Sequence, residues 1–402
     1  MSSPRWKPGC AAVFAALLAA PAVRAAGGPY LDAGLALTGA SEDNLFATPA
    51  AETSDVVTRL TPRLESGYRT GRLSLAARLA LDAEQFRDHP DLDTLQARRS
   101  GAFELSARAT RAIDLGAHLA YLSTLDPAEL NGPTGIQAGR RRARRLAVTP
   151  TATFRTGPRT DLSAEAGWSR DELTGGATSE TGTLRLGLAR RITPRDRARI
   201  DYLYERIAFQ ETESATAAGG GPPGASRIEA QAVTFAWERT LSSRSALTLR
   251  AGPRFSEGTI DPEIAIELHH GMRNVDLALA YDRTLAGVVG LPEAVVTDGI
   301  APKVSFRPTR RLSISAAPGW YRSRSGDGET TVRRFDLDLS IALNDDLALA
   351  ASYRRSVQDG LLGSVPALAD ERIARNTIQV GLLIHEGRRS RQAPQVPGGA
   401  AR

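Results

Sequence analysis

From Arg72 to Glu84 the chain reads RLSLAARLALDAE, and its apolar residues fall on every second position. Leu73, Leu75, Ala77, Leu79, Leu81 and Ala83 share one parity; Ser74, Ala76, Arg78, Ala80, Asp82 and Glu84 share the other. A helix would scatter these leucines around its circumference, whereas a strand sends alternate side chains to opposite faces. The stretch therefore predicts a strand with one apolar and one polar wall. One such strand suits a soluble antiparallel sheet as well as a membrane barrel, so recurrence of the pattern decides.

The pattern recurs to the end of the chain. Leu31, Ala33, Leu35 and Leu37 alternate with Asp32, Gly34, Ala36 and Thr38; Val56, Leu60, Leu64 and Tyr68 alternate with Arg59, Arg63 and Glu65. Polar connections near 39–54, 87–94, 123–144, 170–181, 210–226, 284–297, 322–330 and 355–372 alternate with tight ones such as Thr70-Gly71-Arg72 and Asn344-Asp345-Asp346. One connection breaks this rule, since Ser256 to Asp261 should be long and is brief. The total is about eighteen strands, an all-β transmembrane antiparallel up-and-down β-barrel with short periplasmic turns and long outer loops. So many strands enclose a lumen too wide for side chains to fill, which puts the polar parity toward water inside and the apolar parity toward lipid outside. Stacked sandwich domains would need a second sheet over every apolar face.

Aromatic residues support the same reading. With the first strand running outward, Tyr121, Trp168, Tyr204, Phe255, Tyr281, Trp320 and Tyr353 fall at the outer ends, and Tyr68, Phe154, Trp237 and Phe306 at the periplasmic ends, all on the lipid parity. These form two interfacial girdles. Pro62, Pro150, Pro253, Pro302 and Pro318 lie inside strands and predict local bulges, because proline removes a ladder hydrogen bond. The last strand, through Ile378, Val380, Leu382 and Ile384, lacks a closing aromatic residue.

The chain has 402 residues, of which 42% are hydrophobic and only 5% aromatic. Residues 1–25 predict a cleaved signal peptide, with Arg5 and Lys7 ahead of an apolar Ala11 to Ala20 core and Val23-Arg24-Ala25 at the cleavage site. Cys10, the only cysteine, lies in that segment, which leaves no thiol in the expected mature chain. The barrel is expected over 26–385 and a disordered polar tail over 386–402. The net charge of +6 is carried almost wholly by arginine, since Lys7 and Lys303 are the only lysines. Arginine grips phosphate and carboxylate in two-point contacts. Export to the cell outer membrane of a Gram-negative bacterium makes nucleic acid a poor partner and favours outer-membrane lipid, lipopolysaccharide and an acidic solute.

The inward parity carries Arg59, Arg63, Arg78, Arg98, Arg108, Arg155, Arg185, Arg197, Arg199, Arg250 and Arg254, interleaved with acids such as Glu65, Asp82, Glu84, Glu104, Asp114 and Asp201. Two readings stand: cross-strand pairs lining a solvated wall, or an arginine track that guides an acidic solute. Arg140, Arg141, Arg142, Arg144 and Arg145 form the densest basic run, at a height suited to lipopolysaccharide phosphates. A solvated loop face accounts for it equally well. Gly219-Gly220-Gly221 lacks the following Gly-Lys-Ser/Thr of a phosphate loop and reads as loop. His269 and His270 point to opposite faces, and His89 beside Asp88 and Asp91 is the one loose arrangement for a hydrolase at the outer rim. No cofactor, metal or catalytic set is expected.

Glu42-Asp43-Asn44-Leu45, then Ser54-Asp55, Leu60-Thr61-Pro62-Arg63-Leu64 and the Leu73 to Asp82 strand with Phe86 and Asp91 beyond it, resemble the outer-membrane β-barrel porin families associated with exopolysaccharide export. The resemblance implies a barrel that passes a secreted polysaccharide, with a periplasmic export partner. It carries over no binding residues. The sequence thus predicts a passage for a hydrophilic, acidic solute; the alternatives are a general small-solute porin, a plugged structural or adhesin-like barrel, and an outer-rim hydrolase.

Overall fold

The computed structural model describes residues 28–49, 52–210, 225–326, 328–360 and 372–386. The expected leader, the Gly219 to Gly224 run and the tail beyond Glu386 lie outside the described residues. The strands are β1 (Gly28–Glu42), β2 (Asp55–Arg69), β3 (Leu73–Phe86), β4 (Thr94–Arg108), β5 (Ile113–Thr124), β6 (Ala143–Arg155), β7 (Thr160–Leu173), β8 (Thr178–Arg191) and β9 (Asp196–Gln210). They continue as β10 (Ala225–Ser242), β11 (Ser245–Ser256), β12 (Thr259–Gly271), β13 (Val275–Gly287), β14 (Ala294–Phe306), β15 (Leu312–Ser325), β16 (Gly328–Ala342), β17 (Leu347–Asp359) and β18 (Arg372–Glu386). Each pairs antiparallel with the next, and β1 pairs with β18 from Ala33↔Glu386 to Glu42↔Thr377. The sheet is a closed barrel of 18 strands, so no edge is left unpaired.

The two faces follow the period-two pattern. Leu79, Leu186, Phe235, Ile300, Leu337 and Ile378 stand exposed on the outside, while Asp82, Asp201, Arg254 and Glu263 are buried on the inner side. A wall of exposed leucine, isoleucine and phenylalanine is stable against hydrocarbon and costly against water. All eleven girdle aromatics lie on this outer parity. Tyr281 and Tyr353 donate their hydroxyls to Asp298 (3.2 Å) and Asn376 (3.1 Å), the polar band just beyond the apolar belt. The fold is a transmembrane β-barrel, with a turn end and a loop end.

Two expected long connections are short. β7 runs on to Leu173 and β8 starts at Thr178, and β15 and β16 are separated by residues 326–327 only. Arg170 pairs with Glu172 along its own strand (2.9 Å) and with Glu180 on β8 (3.3 Å), and Arg322 with Glu329 on β16 (2.6 Å), where the strands continue above the apolar belt. The polar outward residues mark the change from lipid to water; the ladder goes on. The brief Ser256 to Asp261 connection is a two-residue turn with both Glu257 (φ 50°) and Gly258 (φ 81°) left-handed, the geometry that closes a hairpin tightly.

The bulges expected at the prolines are absent. On one side each proline keeps register, as in Leu35↔Pro62, Ala117↔Pro150 and Leu279↔Pro302. On the other side the pairing lapses and resumes unshifted, from Leu60↔Ala83 to Arg63↔Ala80 and from Ile300↔Trp320 to Val304↔Ala316. A strand residue directs its N–H to one neighbour only, so proline costs the ladder on a single side. The register shifts that do occur lie at Asp82/Glu84 and Thr240/Ser242.

Candidate functional site: a loop-crossed mouth

At the loop end the inner parity changes character. Val57, Phe86, Leu173, Ile207, Phe209, Val295 and Val332 all face inward there and are buried. What buries them is chain that has folded in from the connections. The connection from Leu125 to Arg142 opens with Asp126, whose side chain accepts from the Ala128 N–H (3.3 Å) and caps a single 3-10 turn, Pro127–Glu129. The Asn131 carbonyl then accepts from the N–H groups of Thr134 (3.1 Å) and Gly135 (2.7 Å), reversing the chain. Gly135 has φ 67°, and a Cβ there would stand 2.9 Å from the Tyr321 ring, so glycine alone lets the loop lie this close to β15. Ile136 packs against Val288, Val295 and Val332, with Leu291 and Tyr321 around them.

The loop is fastened along one arc of the mouth, from β17 through β18 and β1 to β4. Near its origin Glu129 accepts from Arg98 on β4 (2.7 Å) and from Thr124 (2.9 Å). Asp126 pairs with Arg375 on β18 (3.0 Å), and Arg375 also holds Glu42 on β1 (2.9 Å). The Gln137 N–H donates to the Gln358 side chain on β17 (2.8 Å). Arg140 returns to β3, pairing with Glu84 (2.6 Å) and lying 4.7 Å over the Phe86 ring, while Arg59 takes the other Glu84 oxygen (2.6 Å). Burial pushes the Asp126 carboxyl up, but Arg375 and Arg354, with the Ala128 N–H, outweigh it and hold its pKa below the ordinary value.

A second connection, from Val288 to Glu293, meets the first. The Val289 N–H donates to the Asn131 side chain (2.9 Å), both groups being buried. Leu130, Ala143, Leu173 and Val289 form one apolar cluster, and Gly290 bridges to Ala177 in the β7–β8 turn. The β5–β6 and β13–β14 connections rise eight strands apart in a ring of eighteen, so the contact of Asn131 with Val289 crosses the lumen. The first connection, after β1, also turns in: Leu45 packs on Val57 and Phe86, and fully buried Asn44 holds the Ala374 carbonyl on β18 (3.0 Å).

Of the eleven lumenal arginines, nine are committed to carboxylates. Arg78 bridges Glu65 and Glu104, Arg108 and Arg155 share Asp114, and Arg197 joins Asp161 and Glu238. Arg199 pairs with Asp201, and Arg250 and Arg254 with Glu263. Arg63 and Arg185 close no ion pair among the described residues, and one buried Arg63 Nη2 has no hydrogen-bond partner there. Arg185 opens onto a recess of about 250 Å³ on the wall, shared with Thr151, Glu165, Arg197 and Arg199. The basic run is divided. Arg140 and Arg145 turn inward, Arg145 to Asp171 (2.6 Å); Arg141 and Arg142 donate to the carbonyls of Gly175 (3.3 Å) and Gln96 (3.0 Å); Arg144 stays half-exposed, 4.0 Å from Glu172. His89 is held by Asp55 (2.8 Å) rather than by Asp88 or Asp91.

Sequence reasoning missed Asp126, Asn131, Gly135, Gln137, Val289, Gln358 and Arg375. A signal was present in the apolar residues that break the polar parity at the loop ends of β2, β3, β7, β9, β14 and β16.

No family model and no curated protein matches the chain. Among solved structures it is similar to a variant of the ferric enterobactin receptor PfeA from Pseudomonas aeruginosa, at 10% identity and TM-score 0.46 over 89% of this chain and 80% of that one. It is similar also to the siderophore receptor PirA from Pseudomonas aeruginosa (11%, 0.43, 91% and 81%) and to the copper transporter OprC (10%, 0.48, 91% and 81%).

Proposed function

We propose that this chain is an outer-membrane solute channel whose outer mouth is gated by its own loops. The observation that carries the reading is the fastening of the 125–142 connection to β3, β17 and β18 together, with Asn131 clasping Val289 over the lumen. A passage crossed in this way suits a small hydrophilic solute. The inner wall below is charged in both signs and pre-paired, which presents fixed dipoles to a permeating polar molecule without a strong net field. Lipid faces the outer wall, and lipopolysaccharide phosphates are within the reach of Arg144.

Passage of a secreted polysaccharide, implied by the resemblance at Glu42 to Asp91, stands second, because an extended chain could thread only with both loops withdrawn. A periplasmic partner belongs to that second reading. The test is single-channel recording from purified protein in a planar bilayer, beside a variant in which residues 127–139 are replaced by a short glycine linker. The unaltered protein should give small or intermittent steps and the variant large steady ones. Large steady steps of equal size from both proteins would remove the gate.

A further inference from the structure

The two ends of the barrel carry opposite charge in their connections. Seven of the eight tight turns present at least one exposed arginine, and the eight together hold nine arginines against Asp345 and Asp346. None of the nine closes an ion pair among the described residues. In the described connections of the loop end, nine carboxylates face four arginines. Arginine-rich composition alone would not sort charge by end.

The turn arginines are also presented in a repeated way. Thr70, Thr193, Ser242 and Thr309 each accept, on the side-chain oxygen, the N–H two residues on, which belongs to Arg72 (3.3 Å), Arg195 (3.2 Å), Arg244 (3.1 Å) and Arg311 (3.2 Å). The hydroxyl fixes the turn and the guanidinium projects from it. Beside them the lipid-facing parity runs on into the turns, where Ile192, Leu241, Met272 and Leu343 are exposed, 45 to 54% each. Apolar side chains directed outward beneath the Trp237 girdle, with free arginines next to them, match the boundary between acyl chain and phosphate. A folded acidic protein would have no use for that outward apolar rim.

We propose that the turn end is a binding surface for anionic phospholipid, with Arg72, Arg195, Arg244 and Arg311 on the headgroup phosphates and the apolar turn residues in the acyl region. The turn-side leaflet around the barrel is then enriched in phosphatidylglycerol-like lipid, and the barrel is seated by it. Each arginine close to an anionic surface gains from the attraction, and the ring sums these gains.

The test reconstitutes the full barrel in bilayers of phosphatidylcholine alone or of equal parts phosphatidylcholine and phosphatidylglycerol. Lipid retained after mild detergent extraction is weighed by native mass spectrometry, and heat unfolding is followed by the electrophoretic shift of the folded barrel. Phosphatidylglycerol should be retained several-fold over phosphatidylcholine, and the unfolding midpoint should be higher in the mixed bilayer. Both differences should shrink clearly in R72Q/R195Q/R244Q/R311Q, and high salt should erase them in the unaltered protein, a control independent of whether that variant folds. Equal retention of the two lipids, a preference undiminished by the four substitutions, or displacement by inorganic phosphate at low concentration would each overturn the proposal. So would cross-linking of the turns to an acidic protein in cells with no lipid preference in bilayers.

Discussion

Asp126 and Asn131 are where single side chains decide the state of the mouth. Asn131→Ala leaves the buried Val289 N–H without an acceptor, at a cost of about 1–3 kcal/mol. Most of that cost should appear locally, as amide exchange at residues 288–290 faster by roughly ten- to a hundredfold, measured by hydrogen-exchange mass spectrometry. For Asp126 the folded pKa lies below the ordinary 3.8, so its contribution is complete above the ordinary value and is lost as pH falls through the lowered one. Channel opening frequency should accordingly stay flat from neutral pH to about 4 and rise only in stronger acid. Asp126→Asn should open the channel at neutral pH. Both are checked by recording across a pH series, and an acid response that is unchanged in Asp126→Asn would place the sensitivity elsewhere.

Strands were the most legible part of this sequence, and the reason is geometric. The side-chain period of two is set by the backbone of each strand, so Leu73 to Glu84 can be read without knowing their partners. Where lipid gives way to water, the same parity turns polar, and Arg170 or Arg322 then looks like loop although the ladder continues. The prolines misled in the same local manner, since only pairing shows that one neighbour is spared. Arg140 sits in the densest charge run and reads as outward-facing, yet its direction is fixed by Glu84, 56 positions earlier. Long-range contacts of this kind leave no periodic trace. At the level of a strand, Leu186→Arg, in the middle of the lipid face of β8, should destabilise the barrel by about 2–4 kcal/mol, and substitution of its lumenal neighbour Arg185 by Gln far less. Urea unfolding in lipid vesicles measures both.

For the whole molecule, the balance of charge inside sets the selectivity. With nine lumenal arginines paired, and with Asp82 and Glu165 on the same wall closing no ion pair among the described residues, a barrel relieved of residues 127–139 should show no strong anion preference. R63Q/R185Q in that background should move the reversal potential in a salt gradient toward cation preference, because these two arginines close no ion pair of their own. A strong anion preference would contradict the pairing described here. The clasp around Arg375 has a further consequence, which concerns time rather than structure. Arg375 lies on the last strand, Glu42 ends the first, and Asp126 comes from a third of the way along the chain. The three can meet only when the closing seam between β1 and β18 has formed. A barrel assembling strand by strand therefore lacks this clasp through every intermediate, and its fastening is a late step that waits for the first and last strands to meet.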